Sequence, residues 1–570
     1  MSRRGPEWIA DPERRWVLIL AIVTMVVASI PVVYAYAHTP KGDRFGGGVF
    51  NAADQAVYLS WMNQAREGHL LIENRFTTDP QHPRLFHLYF YLLGLIAWIT
   101  HLPLTVVYHI GRFVFGVWFL LIAHRFSRLF FEEAHTRKIA MVLLAASSGL
   151  GWIVWWSFWG GGMAQPTDIW QPETNTFFSL SANGLYPVSL CLMLGTFYLS
   201  LRGGAEQRRR DLVLAGILLL LLGNIHSYDW IIVTAVLIVH TIVRALRQPK
   251  ESRQTDLIRR AGEIALVIGI SIPSVAYQYY AYCMDPIFAA RANVPTPSTN
   301  AMYVLAGLGL LLIPAVFALP AVLIGKRRRR LFIGCWLIVG LVLPAIPLAF
   351  QRKLAMGIHI PLCMLAAHGL VQIKWFRSTK RFAVIAAGII LITGVTNVFH
   401  ILADMHAVQQ DAAGERSAGI YIHQAEVGSI DWLAQHAKRG SHVLCLPTMG
   451  LYVPTLTPCR VYAGHWGETP DYEHRRDRAV MCLFGDLGVK GAEELINEDH
   501  LDYVVQPRAF LPNTHQGLAA MPTSATRNTS SISHAPELDR LAYVTYMTSY
   551  PVVYQDDSYI VYQTTAKRGG

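Results

Sequence analysis

Long apolar runs separated by short basic loops constrain this chain most. Runs such as 16–37, 104–130 and 301–324 are long enough to cross roughly 30 Å of hydrocarbon as helices. Irregular backbone cannot face lipid at that depth, because its polar groups would stay unsatisfied. With 53% hydrophobic and only 15% charged residues, the chain is too apolar for an ordinary soluble protein. The sequence therefore predicts a polytopic α-helical membrane protein.

The basic residues cluster in six short segments between the apolar runs. Cationic loops favour the cytoplasmic side of a membrane, so all six should face the cytoplasm. This placement accounts for the net charge of +11 without a nucleic-acid partner, and we expect none. The six segments are Arg3 to Arg15, Arg125 to Lys138, Arg202 to Arg210, Arg244 to Arg260, Lys326 to Arg330 and Lys374 to Arg381.

This orientation predicts about eleven crossings, an N-terminus in the cytoplasm and an extracytoplasmic segment after residue 405. Leu85–Thr100 is apolar but short for a crossing, and we interpret it as re-entrant or half-buried. The alternative is a short true span with a break elsewhere, such as at Pro187, so the total lies between eleven and thirteen. The eleven crossings are 16–37, 104–130, 139–159, 177–201, 212–226, 229–247, 261–283, 301–324, 331–350, 354–372 and 382–405.

The first outer loop, 38–84, combines a dense set of polar residues with a helix. From Asp54 onward, Val57, Trp61 and Ala65 recur at three-to-four spacing, which predicts an amphipathic helix lying on the membrane. Asp54 at its start is a candidate reactive carboxylate. It could instead only cap the helix, since a carboxylate there satisfies free N–H groups.

Later outer loops add further ionisable residues. The loop 160–176 carries Asp168 and Glu173, and a tight polar turn between two apolar runs carries His226 and Asp229. Polar groups at membrane depth line water or protein, although His226 and Asp229 could simply form a structural hydrogen-bonded pair. Arg352-Lys353 could be interfacial anchors. Acids and cations nevertheless gather on one predicted side, which favours a shared site.

After residue 409 the composition changes to that of a soluble α/β domain, 410–570. Its segment 512–536 is rich in small polar residues and predicts a flexible loop. Cys445 and Cys459 could form a disulfide in an oxidising compartment. The remaining assignments are helices at 424–438, 469–485 and 490–498, and strands at 442–446, 503–506, 542–545, 552–554 and 559–562.

Two short motifs resemble the GT-C superfamily of membrane glycosyltransferases, which use polyprenyl-phosphate-linked sugars. Asp54-Gln55-Ala56-Val57-Tyr58 is similar to the Asp-Glu-x-x-Tyr pattern of the first outer loop in lipid A aminoarabinose transferases and protein mannosyltransferases. His82-Pro83-Arg84-Leu85 is similar to their Lys-Pro-Pro-Leu stretch. The chain differs from the pattern at Gln55, which replaces the second acid, and at Arg84, which replaces the second proline.

The resemblance implies a GT-C-like transmembrane catalytic domain, 1–409, that transfers a sugar from a polyprenyl-phosphate donor with inversion. Asp54 would be the general base, because an activated donor needs a base for the acceptor hydroxyl and cations for the departing phosphate. The remaining roles are donor-phosphate binding for Arg352, Lys353, Arg84, His82 and His226, and substrate binding for Asp43, Tyr58, Asp168, Glu173 and Asp229.

Other functions stay open at this stage. Carboxylates such as Asp43, Asp168 and Glu173 leave room for a divalent cation, although no residue spacing indicates a zinc site or a phosphate-binding P-loop. The acceptor could be a glycan, a lipid or a protein. A secondary transporter or flippase of a lipid-linked glycan, or a ligase using a lipid pyrophosphate donor, would share many of these features. In each case we expect a multi-pass protein among the lipids of the cell (inner) membrane.

Overall fold

The structure is a computed structural model, and it describes residues 11–158, 165–325, 329–414, 419–510 and 537–565. Inter-residue contacts divide the chain into two compact units. The first, the helical unit, comprises Met1–Ile30, His109–Tyr279 and Pro295–Ala403. The second, the mixed unit, comprises Pro31–Tyr108, Tyr280–Val294 and Asp404–Gly570. Arg3, Arg4, Lys326 to Arg328 and the predicted loop 512–536 lie outside the described residues.

Within the described residues, seven helices are long and apolar enough to cross a membrane, and up to nine spans result if two bent helix pairs each count as one. These helices confirm the predicted polytopic helical class. The bent pairs are Pro12–Ala28 with Ile30–Ala37, and Thr379–Thr393 with Val395–Ala412. The seven helices are Leu104–Ser127, Ala134–Val154, Leu185–Glu206, Ser227–Leu246, Lys250–Cys283, Ala301–Ile324 and Gln351–Leu370.

Two expected crossings fall on shorter helices. The crossing predicted at 212–226 lies on Arg209–Ile225, which has 17 residues, and the one at 331–350 begins with Leu331–Val342. The crossing predicted at 177–201 is divided into Thr176–Ala182 and Leu185–Glu206. Pro187 therefore sits in the first turn of the second helix, where its missing N–H costs nothing.

The core of the helical unit is built around aromatic side chains. Phe197 packs its ring edge-on against Phe332 and Trp336, at centroid distances of 5.0 and 4.8 Å. All three are fully buried. Large apolar side chains on the neighbouring helix Leu312–Ile324, such as Phe317 and Ile324, are exposed. Exposed apolar surface of this extent is typical of helices that face lipid.

The mixed unit contains a five-stranded sheet in the order β4-β3-β5-β7-β6. Strand β3 pairs in parallel with β4 and β5, and β7 pairs antiparallel with β5 and β6. A separate antiparallel pair joins β1 to β2. The strands are β1 (Arg44–Phe45), β2 (Tyr421–Ile422), β3 (His442–Leu444), β4 (Arg460–Val461), β5 (Tyr503–Pro507), β6 (Val552–Gln555) and β7 (Tyr559–Gln563).

Helices at Gln424–His436, Tyr472–Phe484 and Gly488–Glu498 confirm the predicted α/β pattern of the C-terminal region. The strand predicted at 542–545 is wrong, because these residues lie in the helix Glu537–Met547. Their β-branched character suggested a strand, but Tyr543 and Met547 are buried four residues apart, as one face of a helix requires. Short helices complete the unit at Pro286–Ala292, Pro447–Gly450 and Val453–Leu456.

The helix predicted from Asp54 forms at Ala52–Arg66, but it does not lie exposed on a surface. Almost every residue from Gln55 to Ala65 is buried, and Leu88–Thr100 packs along the helix. Gly94 allows this close approach, because a Cβ there would collide with the carbonyl oxygen of Met62. The amphipathic interpretation was therefore wrong, whereas the half-buried interpretation of Leu85–Thr100 fits a 13-residue helix that buries one face.

Cys445 and Cys459 are both buried free thiols, so the proposed disulfide is absent from this structure. The register of β3 and β4 explains this result. Val443 pairs with Val461, Cys445 follows the end of β3 and Cys459 precedes the start of β4, so the register, if continued, offsets the two cysteines by four positions.

Candidate functional site

Asp54 lies in the first turn of the helix Ala52–Arg66 in the mixed unit. Asn51 precedes the helix in a left-handed conformation (φ 51°) and makes no side-chain cap bond to the backbone. Its Nδ2 instead donates to Asp54 Oδ2 at 2.5 Å. About a third of the Asp54 side chain (34%) is exposed. The carboxylate is therefore held in position from one side while part of it stays accessible.

His465 faces the other carboxylate oxygen. Its Nε2 lies 3.3 Å from Asp54 Oδ1, and the ring is almost fully buried. The backbone N–H groups of Gly467 and Glu468 donate to His465 Nδ1 at 3.0 and 3.1 Å. Since Nδ1 accepts, a neutral imidazole must carry its proton on Nε2, which lies beside Asp54 Oδ1 but outside hydrogen-bond geometry. The ring is thus a fixed polar neighbour of the carboxylate.

A tight turn formed by residues 464–469 holds His465. Thr469 Oγ1 accepts hydrogen bonds from the backbone N–H groups of Gly464 and His465, and it donates to the carbonyl of Phe76 at 2.7 Å. Phe76 also contacts the His465 ring edge-on, with centroids 5.9 Å apart. Trp466 stacks on the imidazole at 5.6 Å and leaves about half of its surface exposed. An exposed aromatic face therefore lies next to the partner of Asp54.

The same turn binds a cation. Arg291 Nε lies 2.7 Å from Glu468 Oε1, and its guanidinium sits 4.8 Å above the ring of Trp61. Trp61 follows Asp54 by seven residues, two turns further along the same helix face. Glu468 is buried, so this ion pair is well shielded from water. Arg291, Glu468 and His465 were not among the predicted site residues, because no local motif marks them.

The other predicted residues of the mixed unit have separate surroundings. Asp43 is engaged at both oxygens: Oδ1 accepts the N–H of Gln424 at 2.8 Å, and Oδ2 lies 3.1 Å from His423 Nδ1. Tyr58 stacks on Phe90 with centroids 4.6 Å apart. Their proposed substrate roles stay predictions.

The His82-Pro83-Arg84-Leu85 stretch runs beside an earlier part of the first outer loop. His82 is exposed, and Arg84 is half-buried, with Nη1 at 3.5 Å from the carbonyl of Met284. Leu85 forms an isolated antiparallel bridge with Ile72. The donor-phosphate roles of His82 and Arg84 stay predictions.

A buried charge network supports the loop that precedes this stretch. Arg75 is fully buried and pairs with Glu67 at 2.5 Å and Glu73 at 3.2 Å. Arg460 contacts Glu73 at 2.6 Å. Burial by itself would raise the pKa of Glu73, but the two arginines outweigh it and hold the pKa below its usual range. Glu73 is therefore a structural anion rather than a proton acceptor at neutral pH.

In the helical unit, Arg352 lies beside Glu173 and Trp170. Arg352 Nε is 3.7 Å from Glu173 Oε1, and the guanidinium sits 5.2 Å from the centroid of Trp170. Gln171 Nε2 donates to the carbonyl of Arg352 at 3.0 Å, which ties the two segments together. Glu173 Oε2 is buried without a hydrogen-bond partner among the described residues. The structure thus brings one predicted cation and one predicted acid into contact.

Lys353 and the predicted His226–Asp229 pair meet through Tyr228. Lys353 Nζ donates to the Tyr228 hydroxyl at 3.4 Å and lies 4.4 Å from the ring centroid. His226 Nδ1 is 2.9 Å from Asp229 Oδ1, and Ser189 donates its hydroxyl to Asp229. Asp229 is completely buried, as expected for a group that joins helices. The contact between His226 and Asp229 is consistent with the structural alternative, and the donor-phosphate role of His226 and the substrate role of Asp229 stay predictions.

Asp168 is buried in the short helix Thr167–Trp170, which precedes Thr176–Ala182. Its Oδ2 accepts the N–H of Gly151 at 3.1 Å, and its carbonyl accepts from His400 at 2.6 Å. Burial raises the pKa of Asp168 to about 7, against the opposing effect of hydrogen bonds such as that from Thr396. A carboxyl in this state suits an internal contact better than a permanent anion.

No group of three or more His, Cys, Asp or Glu side chains in the described part of the chain is arranged to hold a metal ion. The predicted carboxylates Asp43, Asp168 and Glu173 are each engaged separately, with a helix N-terminus, a loop N–H and an arginine. Binding of a divalent cation stays a prediction.

Comparisons with protein-family models and with curated proteins gave no sequence match. Solved structures do match. The oligosaccharyltransferase of Archaeoglobus fulgidus in the apo form has a TM-score of 0.52 at 12% identity, covering 86% of this chain and 69% of that one. The same organism's AglB, in complex with an inhibitory peptide and a dolichol-phosphate, has a TM-score of 0.51 at 12% identity, with 88% and 70% covered.

ArnT from Cupriavidus metallidurans, bound to undecaprenyl phosphate, is similar over 96% of this chain and 97% of that one, at 12% identity and a TM-score of 0.49. The oligosaccharyltransferase matches extend over most of the chain and define its architecture. The protein therefore has the fold of GT-C membrane glycosyltransferases, and the predicted fold class is confirmed.

Proposed function

We propose that this chain is a membrane glycosyltransferase that moves a sugar from a polyprenyl-phosphate donor to an extracytoplasmic acceptor by a single inverting displacement. The observation that carries the proposal is the arrangement of Asp54: Asn51 donates a hydrogen bond to one carboxylate oxygen, His465 lies 3.3 Å from the other, and a third of the side chain stays exposed. Under this proposal the protein resides in the cell (inner) membrane, with its N-terminus in the cytoplasm and residues 410–570 outside.

Asp54 acts as the general base. A base must accept the acceptor's hydroxyl proton as the new glycosidic bond forms, and this requires an ionised carboxylate in a fixed orientation. Asn51 Nδ2 and His465 Nε2 each face one oxygen, so the carboxylate cannot rotate freely. The exposed face of Trp466 next to His465 offers a platform for an acceptor sugar ring or another flat apolar surface.

The departing polyprenyl phosphate needs positive charge. Arg352 and Lys353 are adjacent in sequence, and each is oriented by an aromatic ring, Trp170 for Arg352 and Tyr228 for Lys353. Cations fixed in advance stabilise developing phosphate charge without reorganising in the transition state. A solved relative in fold binds dolichol-phosphate, which is consistent with a lipid-phosphate donor here.

The test is transfer by the purified full chain in lipid nanodiscs, from a polyprenyl-phosphate-linked sugar. Asp54→Asn keeps the shape of the side chain and one oxygen for the hydrogen bond from Asn51 Nδ2, but it cannot take a proton. We expect a loss of at least a hundredfold in kcat with an unchanged melting temperature. Asp471→Asn is the matched control, because Asp471 is the same residue type, is largely exposed and should leave turnover unaltered.

Arg352→Gln and Lys353→Gln test the donor side. Each should raise the KM for the donor and lower kcat about tenfold or more, because a charge-assisted contact to phosphate is lost. Lys374→Gln, in a predicted basic loop, should change neither quantity.

Normal turnover by Asp54→Asn would show that another residue is the general base, and it would overturn the assignment of Asp54.

A ligase that uses a lipid pyrophosphate donor is the second candidate, because the matched fold is that of oligosaccharyltransferases. Supplying the monophosphate-linked sugar and a pyrophosphate-linked glycan in parallel separates the two, since only the true donor is consumed. Movement of intact lipid-linked glycan across sealed vesicles, without a new glycosidic bond, would support a flippase instead.

A further inference from the structure

The helical unit contains a large cavity at the ends of several helices, on the face that the basic loops assign to the cytoplasm. Its volume is about 710 Å³, and seven arginines but only two glutamates line it. The arginines come from five separate segments, including Arg202 at the end of Leu185–Glu206, Arg244 on Ser227–Leu246, and Arg329 and Arg330 before Leu331–Val342. The preference of cationic loops for the cytoplasmic side explains why this face is basic. It does not explain why arginines from distant segments surround one cavity.

Acidic side chains and a backbone carbonyl hold several of these arginines in place. Arg202 makes a two-pronged contact with Asp211, at 2.6 and 2.8 Å. Arg260 Nε lies 3.0 Å from Asp256 Oδ2. Arg330 donates to the carbonyl of Phe130 at 3.1 Å. Guanidinium groups fixed in this way are already ordered for an anionic ligand, so little side-chain entropy is lost on binding.

His240 provides a second observation at the same cavity. Its side chain is buried and lines the wall, and its Nε2 has no hydrogen-bond partner among the described residues. Arg244 follows one turn later on the same helix, so both side chains share one face. A buried polar nitrogen without a partner is costly unless a ligand or water satisfies it.

A smaller cavity of about 380 Å³ shares Arg128, Leu129 and Tyr198 with the first. Its wall combines the apolar side chains of Leu121 and Ile122 with further arginines. A free phosphate would make no contact with the apolar part of this wall. A phospholipid would contact both parts, because its headgroup carries negative charge and its acyl chain begins within a few atoms of the phosphate.

We propose that these two cavities form a binding site for a phosphate-bearing anion, occupied by the headgroup of an anionic membrane phospholipid. The larger cavity binds the phosphate through its arginines and His240, and the smaller one takes the start of the lipid chain. This site is independent of the proposed sugar transfer, because none of its residues has a role there.

The test measures lipid retention by the full chain in neutral detergent. Native mass spectrometry counts bound phosphatidylglycerol, with phosphatidylcholine as the uncharged reference and inorganic pyrophosphate as the soluble anion. We expect saturable binding of phosphatidylglycerol by the wild-type chain, weakened by raised salt. The double variant Arg244→Gln/Arg329→Gln should lose at least tenfold in affinity. Arg381→Gln, which changes an arginine of another basic loop outside the cavities, should stay within twofold.

A melting curve shows whether the double variant is folded. If it is not, Arg329→Gln alone takes its place, because Arg329 is exposed. If pyrophosphate binds and phosphatidylglycerol does not, the site does bind a phosphate-bearing anion, but the proposal that this anion is a lipid headgroup is overturned. Equal retention of phosphatidylcholine, equal loss in Arg381→Gln, or saturable binding of neither anion would overturn the proposal.

Discussion

Two substitutions of His465 separate its contact with Asp54 from its role in the turn 464–469. His465→Asn places an amide oxygen where Nδ1 stood, so the acceptor for the N–H groups of Gly467 and Glu468 is kept. It has no atom at the Nε2 position, so the donor 3.3 Å from Asp54 is lost. His465→Gln does the reverse, since its amide nitrogen reaches the Nε2 position and the acceptor is absent.

The expected magnitudes follow from these contacts. A hydrogen bond to an ionised group contributes roughly 1.5–3 kcal/mol. The Nε2 contact with Asp54 is 3.3 Å long and lies outside hydrogen-bond geometry, so it contributes less than such a bond, and His465→Asn should reduce kcat by less than about tenfold. Glu468 N also donates to the His465 carbonyl at 3.2 Å, so His465→Gln leaves only Gly467 N without a partner and costs about 1 kcal/mol of stability.

The assay is transfer kinetics against pH, together with thermal melting of the full chain. His465→Asn should keep the melting temperature and lower kcat, because the polar neighbour of the Asp54 carboxylate is gone. His465→Gln should keep most of the turnover and melt earlier. If His465→Asn loses stability but no turnover, the imidazole only supports the turn, and its proposed action on Asp54 is refuted.

Three further substitutions test the electrostatics of the two units by thermal melting. Glu73→Gln should cost about 3 kcal/mol at neutral pH, because it breaks a buried ion pair. Its lowered folded pKa means that this stability is present above the unfolded value of 4.5 and is lost on acidification, so wild type and variant should converge at low pH. Asp168→Asn should be more stable than wild type at pH 8 by up to about 4 kcal/mol and equal to it near pH 4. The buried acid, with a folded pKa of about 7 against 3.8, loses stability as pH rises between these values. Arg291→Leu should cost about 3 kcal/mol, because it removes the arginine partner of the buried Glu468 carboxylate. Equal melting temperatures at both pH values for Asp168→Asn and wild type, or no loss in either of the other variants, would contradict these assignments.

Local sequence patterns predicted the elements that depend on local physics. Apolar length identified the membrane helices, and β-branched runs identified β3, β5 and β7. The β-branched residues at 542–545 predicted a strand, but these residues form a helix. The helix buries Tyr543, and this tertiary contact outweighs the β preference of its neighbours. The local pattern also failed to show that the helix Ala52–Arg66 is buried, because its polar residues find partners far along the chain or across a loop. Gln64, for example, exchanges two hydrogen bonds of 3.0 Å with the backbone of Glu73.

The candidate site was predictable only in part for the same reason. Asp54 stands in a recognisable motif, whereas His465 approaches it from a position more than four hundred residues later. Gly46 is another residue whose packing partner lies far along the chain. A Cβ at Gly46 would collide with the ring of Tyr452, so this glycine marks a close packing contact with the C-terminal part of the chain.

The density of polar residues in the first outer loop reflects docking within the mixed unit more than catalysis. Asp43 caps the helix Gln424–His436, Glu67 and Glu73 pair with arginines, and Asp79 pairs with Arg475 at 2.5 Å. Asp54 differs from these four acids in two respects: its side chain is the most exposed, at 34%, and its neighbours at close range include an amide and an imidazole N–H. Neutral donors orient a carboxylate while leaving it a better proton acceptor than a guanidinium partner would. Replacing any of the other four acids should therefore lower stability before it lowers turnover, and Asp54 should show the opposite order.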